Sequence, residues 1–137
     1  MTDNPAASRA EPEGITTVSS RYSVADTVER MRAVIAKKGL TLFTLVDHSG
    51  EAAKVGLKMD DAKLLIFGSP KAGTPIMQSA PLAALDLPLK VLVWQEHSRR
   101  VLVSYNNTAY LAQRYGISAE LSKNIGGIDA LVQAALD

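Results

Sequence analysis

Cysteine is absent from the 137-residue chain, which excludes disulfides, thiolate metal sites and a cysteine nucleophile together. Histidine is scarce. His48 and His97 are the only two, and they lack the spacing of a helix-borne metal pair, so no metal site is expected. An excess of charge of one sign is also missing. The 15 basic and 14 acidic residues are interspersed and leave a formal net charge of +1. A nucleic-acid binder carries a basic excess or stripe, and here only Arg99-Arg100 is locally basic. No apolar run approaches the length a bilayer requires, and the opening residues hold no apolar segment of a secretory signal. The expectation is a cytoplasmic protein with neither nucleic-acid nor membrane partners and no cofactor.

What is present suits one compact α+β domain. Hydrophobic residues make up 47% and charged residues 21%, and a chain of this size buries about two-thirds of the surface its unfolded form exposes. Residues 1–13 are polar, contain Pro5 and Pro12, and are expected to form a disordered leader ahead of a single domain over 14–137. Ile15 to Arg21 is rich in β-branched residues and reads as a first strand. Val24, Val28, Met31 and Ile35 then fall on one helical face behind a Ser23 cap, and Gly39 closes the helix. Leu40 to Asp47 reads as a second strand, with Ser49 capping a short helix that stops at Gly56. Leu89–Glu96 and Arg100–Tyr105 form a hairpin around His97-Ser98-Arg99. Asn107 or Thr108 caps a helix ending at Gly116, and a last helical segment starts from Ser118. Gly126-Gly127 interrupts that segment. Either two helices meet there or another backbone comes close.

The most informative stretch is 63–78. Leu64 to Phe67 are continuously apolar, as in a buried strand, and Gly68-Ser69-Pro70 ends the run. Thr74-Pro75 reads as a helix start, which leaves the loop amides free to favour a negative group by about 0.3–1 kcal/mol. Gly68-x-x-x-x-Gly73 begins like a phosphate-binding loop, yet Thr74-Pro75 stands where that motif needs lysine followed by serine or threonine. Nucleoside triphosphatase chemistry is therefore not expected. Asp47 and His48, adjacent in a strand, would point to opposite faces and cannot act as a nucleophile-activating pair. Asp60-Asp61 reads as a solvated turn, and Trp94 as a core or dimer-interface ring.

Several motifs taken together resemble a known family. Asp47-His48 through Ala53-x-x-Gly56-Leu57, then Phe67-Gly68-x-Pro70-Lys71-x-Gly73-Thr74, Leu87-Pro88, Val93-Trp94 and Ser104-Tyr105-Asn106 are similar to the bacterial and archaeal domain of unknown function 302, over residues 14–137. One departure is Ser69, where asparagine is expected in many relatives. The resemblance implies a two-layer α+β domain with helices on one face of an antiparallel sheet, a TATA-binding-protein-like topology, and self-association as a homodimer. It implies no activity.

An antiparallel meander of strands two to five, the favoured arrangement, would bring Gly68 to Thr74 near Tyr105 and Asn106 and leave His48 at the opposite edge. A parallel crossover after Ser49 would instead join His48 to the loop. The leading expectation is a small-molecule or anion-binding module using Gly68, Ser69, Lys71, Gly73, Thr74, Tyr105 and Asn106. The alternatives are a structural or partner-binding homodimer, and an enzyme using His48 as an acid-base group.

Overall fold

The computed structural model describes residues 12–137, so the expected leader lies outside the described residues except for Pro12 and Glu13. Five strands, β1 (Ile15–Ser20), β2 (Thr41–Asp47), β3 (Ala62–Gly68), β4 (Leu89–Gln95) and β5 (Val101–Asn106), form one sheet. Its order is β1-β5-β4-β3-β2, and every neighbouring pair is antiparallel. The meander is therefore the observed arrangement. Helices α1 (Val24–Lys37), α2 (His48–Lys54), α3 (Pro70–Ser79), α4 (Thr108–Tyr115), α5 (Ala119–Ser122) and α6 (Ile128–Leu136) join the strands, with 3₁₀ turns at Pro81–Leu85 and Lys123–Ile125.

Strand alternation divides the sheet into two unlike faces. Register places Val18 opposite Val103, Val103 opposite Val93, Leu65 opposite Val91 and Phe67 opposite Leu89, all on one face. That face meets Val24, Val28, Met31 and Ile35 of α1 and Ile128, Leu131, Val132 and Ala135 of α6, which together make the main core. Leu64, Ile66, Leu92 and Trp94 point the other way and are half-buried. They belong to neither hydrophobic core.

A second core forms from Ile76 of α3, Ala83, Leu111 of α4, Ile117 and Ile125, and Leu89 packs against both cores. The two clusters thus join where β3 ends and β4 begins. Gly14 fixes α4 to the start of the sheet. It lies at φ +84°, and a Cβ there would meet Cγ of Tyr110 at 2.1 Å. The ring occupies the place of a side chain. On the other side, Arg30 of α1 donates from Nε to the Ala135 carbonyl at 2.6 Å, and its guanidinium lies 4.2 Å from the Tyr22 ring centroid.

Caps explain most boundaries. Ser23 accepts from Asp26 N–H at 3.0 Å, Asn107 from Tyr110 N–H at 2.8 Å, and Ser118 from Leu121 N–H at 3.1 Å. Gly39 and Gly116 end α1 and α4 at φ +73° and +65°. Gly126-Gly127 separates the 3₁₀ turn at Lys123–Ile125 from α6, so two helical segments meet there. Two local expectations fail. The cap of α2 is Asp47, which accepts from Gly50 N–H at 2.9 Å and from the Ser49 hydroxyl at 3.0 Å, so Ser49 serves the cap without being it. In β2 the register shifts between Leu42 and Thr44, and this bulge breaks the simple alternation expected for the strand.

Leu65 is fully enclosed beneath the helices. Leu65→Ala should lower unfolding free energy by about 2–5 kcal/mol in a denaturant titration. A loss below 1 kcal/mol would mean the sheet is not covered as described.

Candidate functional site

The turn that follows β3 is where the sheet, α3 and the start of α6 leave a gap. A cavity of about 580 Å³ opens there, lined by Phe67, Gly68, Ser69, Pro70, Ala72, Gly73, Thr74 and Met77 on one side. Leu87, Pro88 and Leu89 close a second wall, Asn124, Ile125, Gly127, Ile128 and Leu131 a third, and Lys38, Leu40 and Phe43 a fourth. The lining is mostly apolar. Among the described residues its polar side chains are Lys38, Ser69, Thr74 and Asn124, and no carboxylate is among them. Asn124 donates from its amide to the Ala72 carbonyl at 3.1 Å, tying α3 to the segment before α6. This size and composition match sites that take small organic molecules.

The loop does not offer the amides that the sequence led one to expect. The helix begins at Pro70, one turn before Thr74, so Pro75 lies inside it. Ala72 and Gly73 N–H both donate to the Ser69 carbonyl, at 3.0 and 2.8 Å, and Pro70 has no N–H to give. What reads from sequence as a loop is the first turn of a helix, which engages two of the expected donors, those of Ala72 and Gly73. Ser69 stands at the cap position without making a side-chain cap bond. Beside this turn lies the apolar hollow.

The predicted residues separate into groups. Gly68, Ser69, Gly73 and Thr74 line the cavity together, whereas Lys71 is exposed outside its lining. Tyr105 and Asn106 are also outside it. Tyr105 is on the core face, 6% exposed, and its hydroxyl donates to Asp129 Oδ1 of α6 at 2.5 Å. Asn106 pairs with Ile15 at the outer end of β5. Both miss the cavity because β4 intervenes between β3 and β5. His48 is exposed at the start of α2, far along the sheet. The second hollow, about 360 Å³, lies at that end and is lined by Asp47, Ser49, Lys58, Asp61 and Lys63 among others, without His48. Asp47 is already engaged: the Gly50 N–H and the Ser49 hydroxyl hold its carboxyl below the usual carboxylate range, with a smaller contribution from Lys63. Among the described residues no cluster of three metal-ligating side chains occurs.

The wall residues Lys38, Leu40, Phe43, Met77 and Leu131 were not singled out from sequence. They come from the α1–β2 connection, β2, α3 and α6, which only the tertiary fold brings together. Gly126-Gly127 was the one signal available, since an interruption between two apolar helical segments asks for a reason.

With this geometry in view, comparison with known proteins places the chain. The sequence model of the family described as Domain of unknown function DUF302 matches residues 16–135. The chain belongs to that family. A crystal structure of an uncharacterised conserved DUF302 protein from Bacillus stearothermophilus superposes with a TM-score of 0.75 at 18% identity, covering 92% of this chain and 98% of that one. At that identity the likeness shows the fold alone. Proteins named Fluoride-specific ion channel FluC 1, from Brucella suis and Brucella abortus, are 41% identical over 111 residues, or 80% of this DUF302 chain. The chain spans only 44% and 41% of their lengths.

Burial and the bond to Asp129 push the Tyr105 phenol well above its usual range. The folded protein thus holds the phenol protonated. The associated stabilisation is complete below the ordinary tyrosine pKa of about 10 and is lost as pH rises toward the folded value. Tyr105→Phe should therefore reduce the fall in stability on alkaline titration, measured by denaturant unfolding at a series of pH values. An unchanged alkaline fall would remove Tyr105 as its source.

Proposed function

We propose that this DUF302 domain is a small-molecule-binding module whose ligand occupies the cavity beside the β3–α3 turn. One observation carries it: three glycines line the cavity, and the backbone requires glycine at none of them. Gly68, Gly73 and Gly127 are absent from the residues with positive φ. A Cβ would meet nothing nearer than 3.6 Å at Gly68 and 3.8 Å at Gly73, and nothing within 4 Å at Gly127. Glycine inside a helix costs about 0.5–1 kcal/mol against alanine, so Gly73 is a net loss to folding. Keeping the hollow open gives that loss a purpose. The apolar walls favour a largely apolar ligand over the free inorganic anion that the loop amides would have suited.

The channel relatives bear on where such a module works. Among the described residues no helix is long and apolar enough to cross a membrane. In this reading the DUF302 domain is a binding unit acting in the cytoplasm. The enzyme alternative has less behind it, because His48 is remote from the cavity. A second reading, self-association as a homodimer, is favoured by the sheet face bearing Leu64, Ile66, Leu92 and Trp94, which no core covers. Trp94 donates from Nε1 to Ser104 Oγ at 2.9 Å, and Ser104 Oγ lies 2.8 Å from Thr17 Oγ1, so the ring is held on that face.

Gly73→Leu separates function from stability. The new side chain narrows the cavity beside Met77 while removing a helix-disfavouring residue, so the unliganded variant should be equal to or more stable than wild type, by up to about 1 kcal/mol. A compound from a panel of apolar and anionic metabolites, at a hundredfold over its Kd, should stabilise wild type by about 2.7 kcal/mol and leave the variant unmoved. No stabilising compound across the panel, or equal stabilisation of both proteins, would contradict the proposal. For the homodimer, light scattering should give twice the chain mass for wild type and the single mass for Leu92→Asp. A wild-type monomer at high concentration would end that reading.

A further inference from the structure

Taking the cavity to be a ligand site, we infer that its occupant is an amphipathic monoanion, an aliphatic chain of about eight to twelve carbons ending in a carboxylate. The chain lies against Leu40, Met77 and Leu89, and the carboxylate sits at Lys38. The assignment starts from charge. Among the described residues Lys38 is the single charged side chain in the lining, and no acidic side chain is there to compensate a cationic ligand. A cationic head would meet the ammonium directly, and a neutral one would gain only a weaker, uncharged hydrogen bond from it.

Position then fixes orientation. Lys38 follows the last residue of α1 and is exposed, whereas Leu40, Met77 and Leu89 of the same lining are half-buried, above core residues that are closed to solvent. The charge therefore stands at the solvent side and the apolar surface deeper. A ligand that matches both has a polar end at the solvent side and a hydrocarbon end inside. Met77, unbranched and flexible, can follow a chain of variable length. Ser69, whose hydroxyl makes no cap bond to α3, is a further polar group in the lining and can donate to the same carboxylate.

Isothermal titration of wild type, Lys38→Glu and Gly73→Leu with hexanoate, octanoate, decanoate, decanol and decyltrimethylammonium, all below micellar concentrations, tests this. Wild type should bind the carboxylates about fourfold more tightly for each methylene added. Decanoate should exceed decyltrimethylammonium by at least about tenfold. Lys38→Glu, a surface change that leaves the core untouched, should weaken decanoate about tenfold while decanol is unaffected. Gly73→Leu should bind none of them. Equal binding of decanoate and decyltrimethylammonium, or no effect of Lys38→Glu on decanoate, would overturn the carboxylate assignment while a retained chain-length dependence left the cavity standing as a ligand site. Absence of binding by every compound, decanol included, would overturn the amphipathic ligand and count against the cavity as a ligand site as well.

Discussion

The arrangement depends on one constraint: an antiparallel sheet whose alternation gives it a single strongly apolar face, covered by α1 and α6. Leu65, Val91, Val93 and Val103 are fully shielded by those helices. A helix pair of this length cannot also cover the end of the sheet where β3 runs out and β4 begins. The chain closes that end with a different set of elements, α3, the 3₁₀ turns and α4, around their own small core. The cavity is the seam between the two cores. Its lining takes Phe67, Ile128, Leu131 and Leu40 from the first core, Leu87 and Ile125 from the second, and Leu89 from both.

Seen this way, the glycines at 68, 73 and 127 are linked. Each sits on an element that borders the seam, and each could carry a side chain without backbone strain. Gly14, Gly39 and Gly116 are different, since positive φ accounts for them. The contrast within one chain separates glycines that serve the backbone from glycines that serve a space. Filling the seam with larger residues is the route a chain under selection for stability alone would take, because interiors gain from close packing.

Much of the fold was legible because local chemistry and global placement agree. The periodicity of Val24, Val28, Met31 and Ile35 identified α1, the caps at Ser23, Asn107 and Ser118 marked helix starts, and the Gly126-Gly127 break marked a junction. The site was legible only in part. Gly68, Ser69, Gly73 and Thr74 do meet in one cavity, but Thr74-Pro75 imitates a helix start inside a helix already begun at Pro70. Pro75, sixth in the helix, lies past the four N-terminal N–H groups that lack an intrahelical acceptor, so proline is uncommon there and the pattern reads as a start placed one turn late. Tyr105 was assigned to a ligand because it ends a strand near Gly68. Its side chain points instead into the core, where Asp129 of a helix 24 residues later accepts its proton bond. Pairings across such sequence distances leave no mark in local pattern, and the same holds for Lys38, Phe43 and Leu131.

The central claim is that an open, dry, apolar space exists at the junction of the two cores in the folded protein. Crystals of the unliganded protein pressurised with xenon measure this directly, because xenon enters apolar cavities and avoids polar hydrated ones. The account predicts xenon density bounded by Leu40, Met77 and Leu89. Side chains collapsed into the space, or a connected chain of ordered waters filling it, would contradict the account.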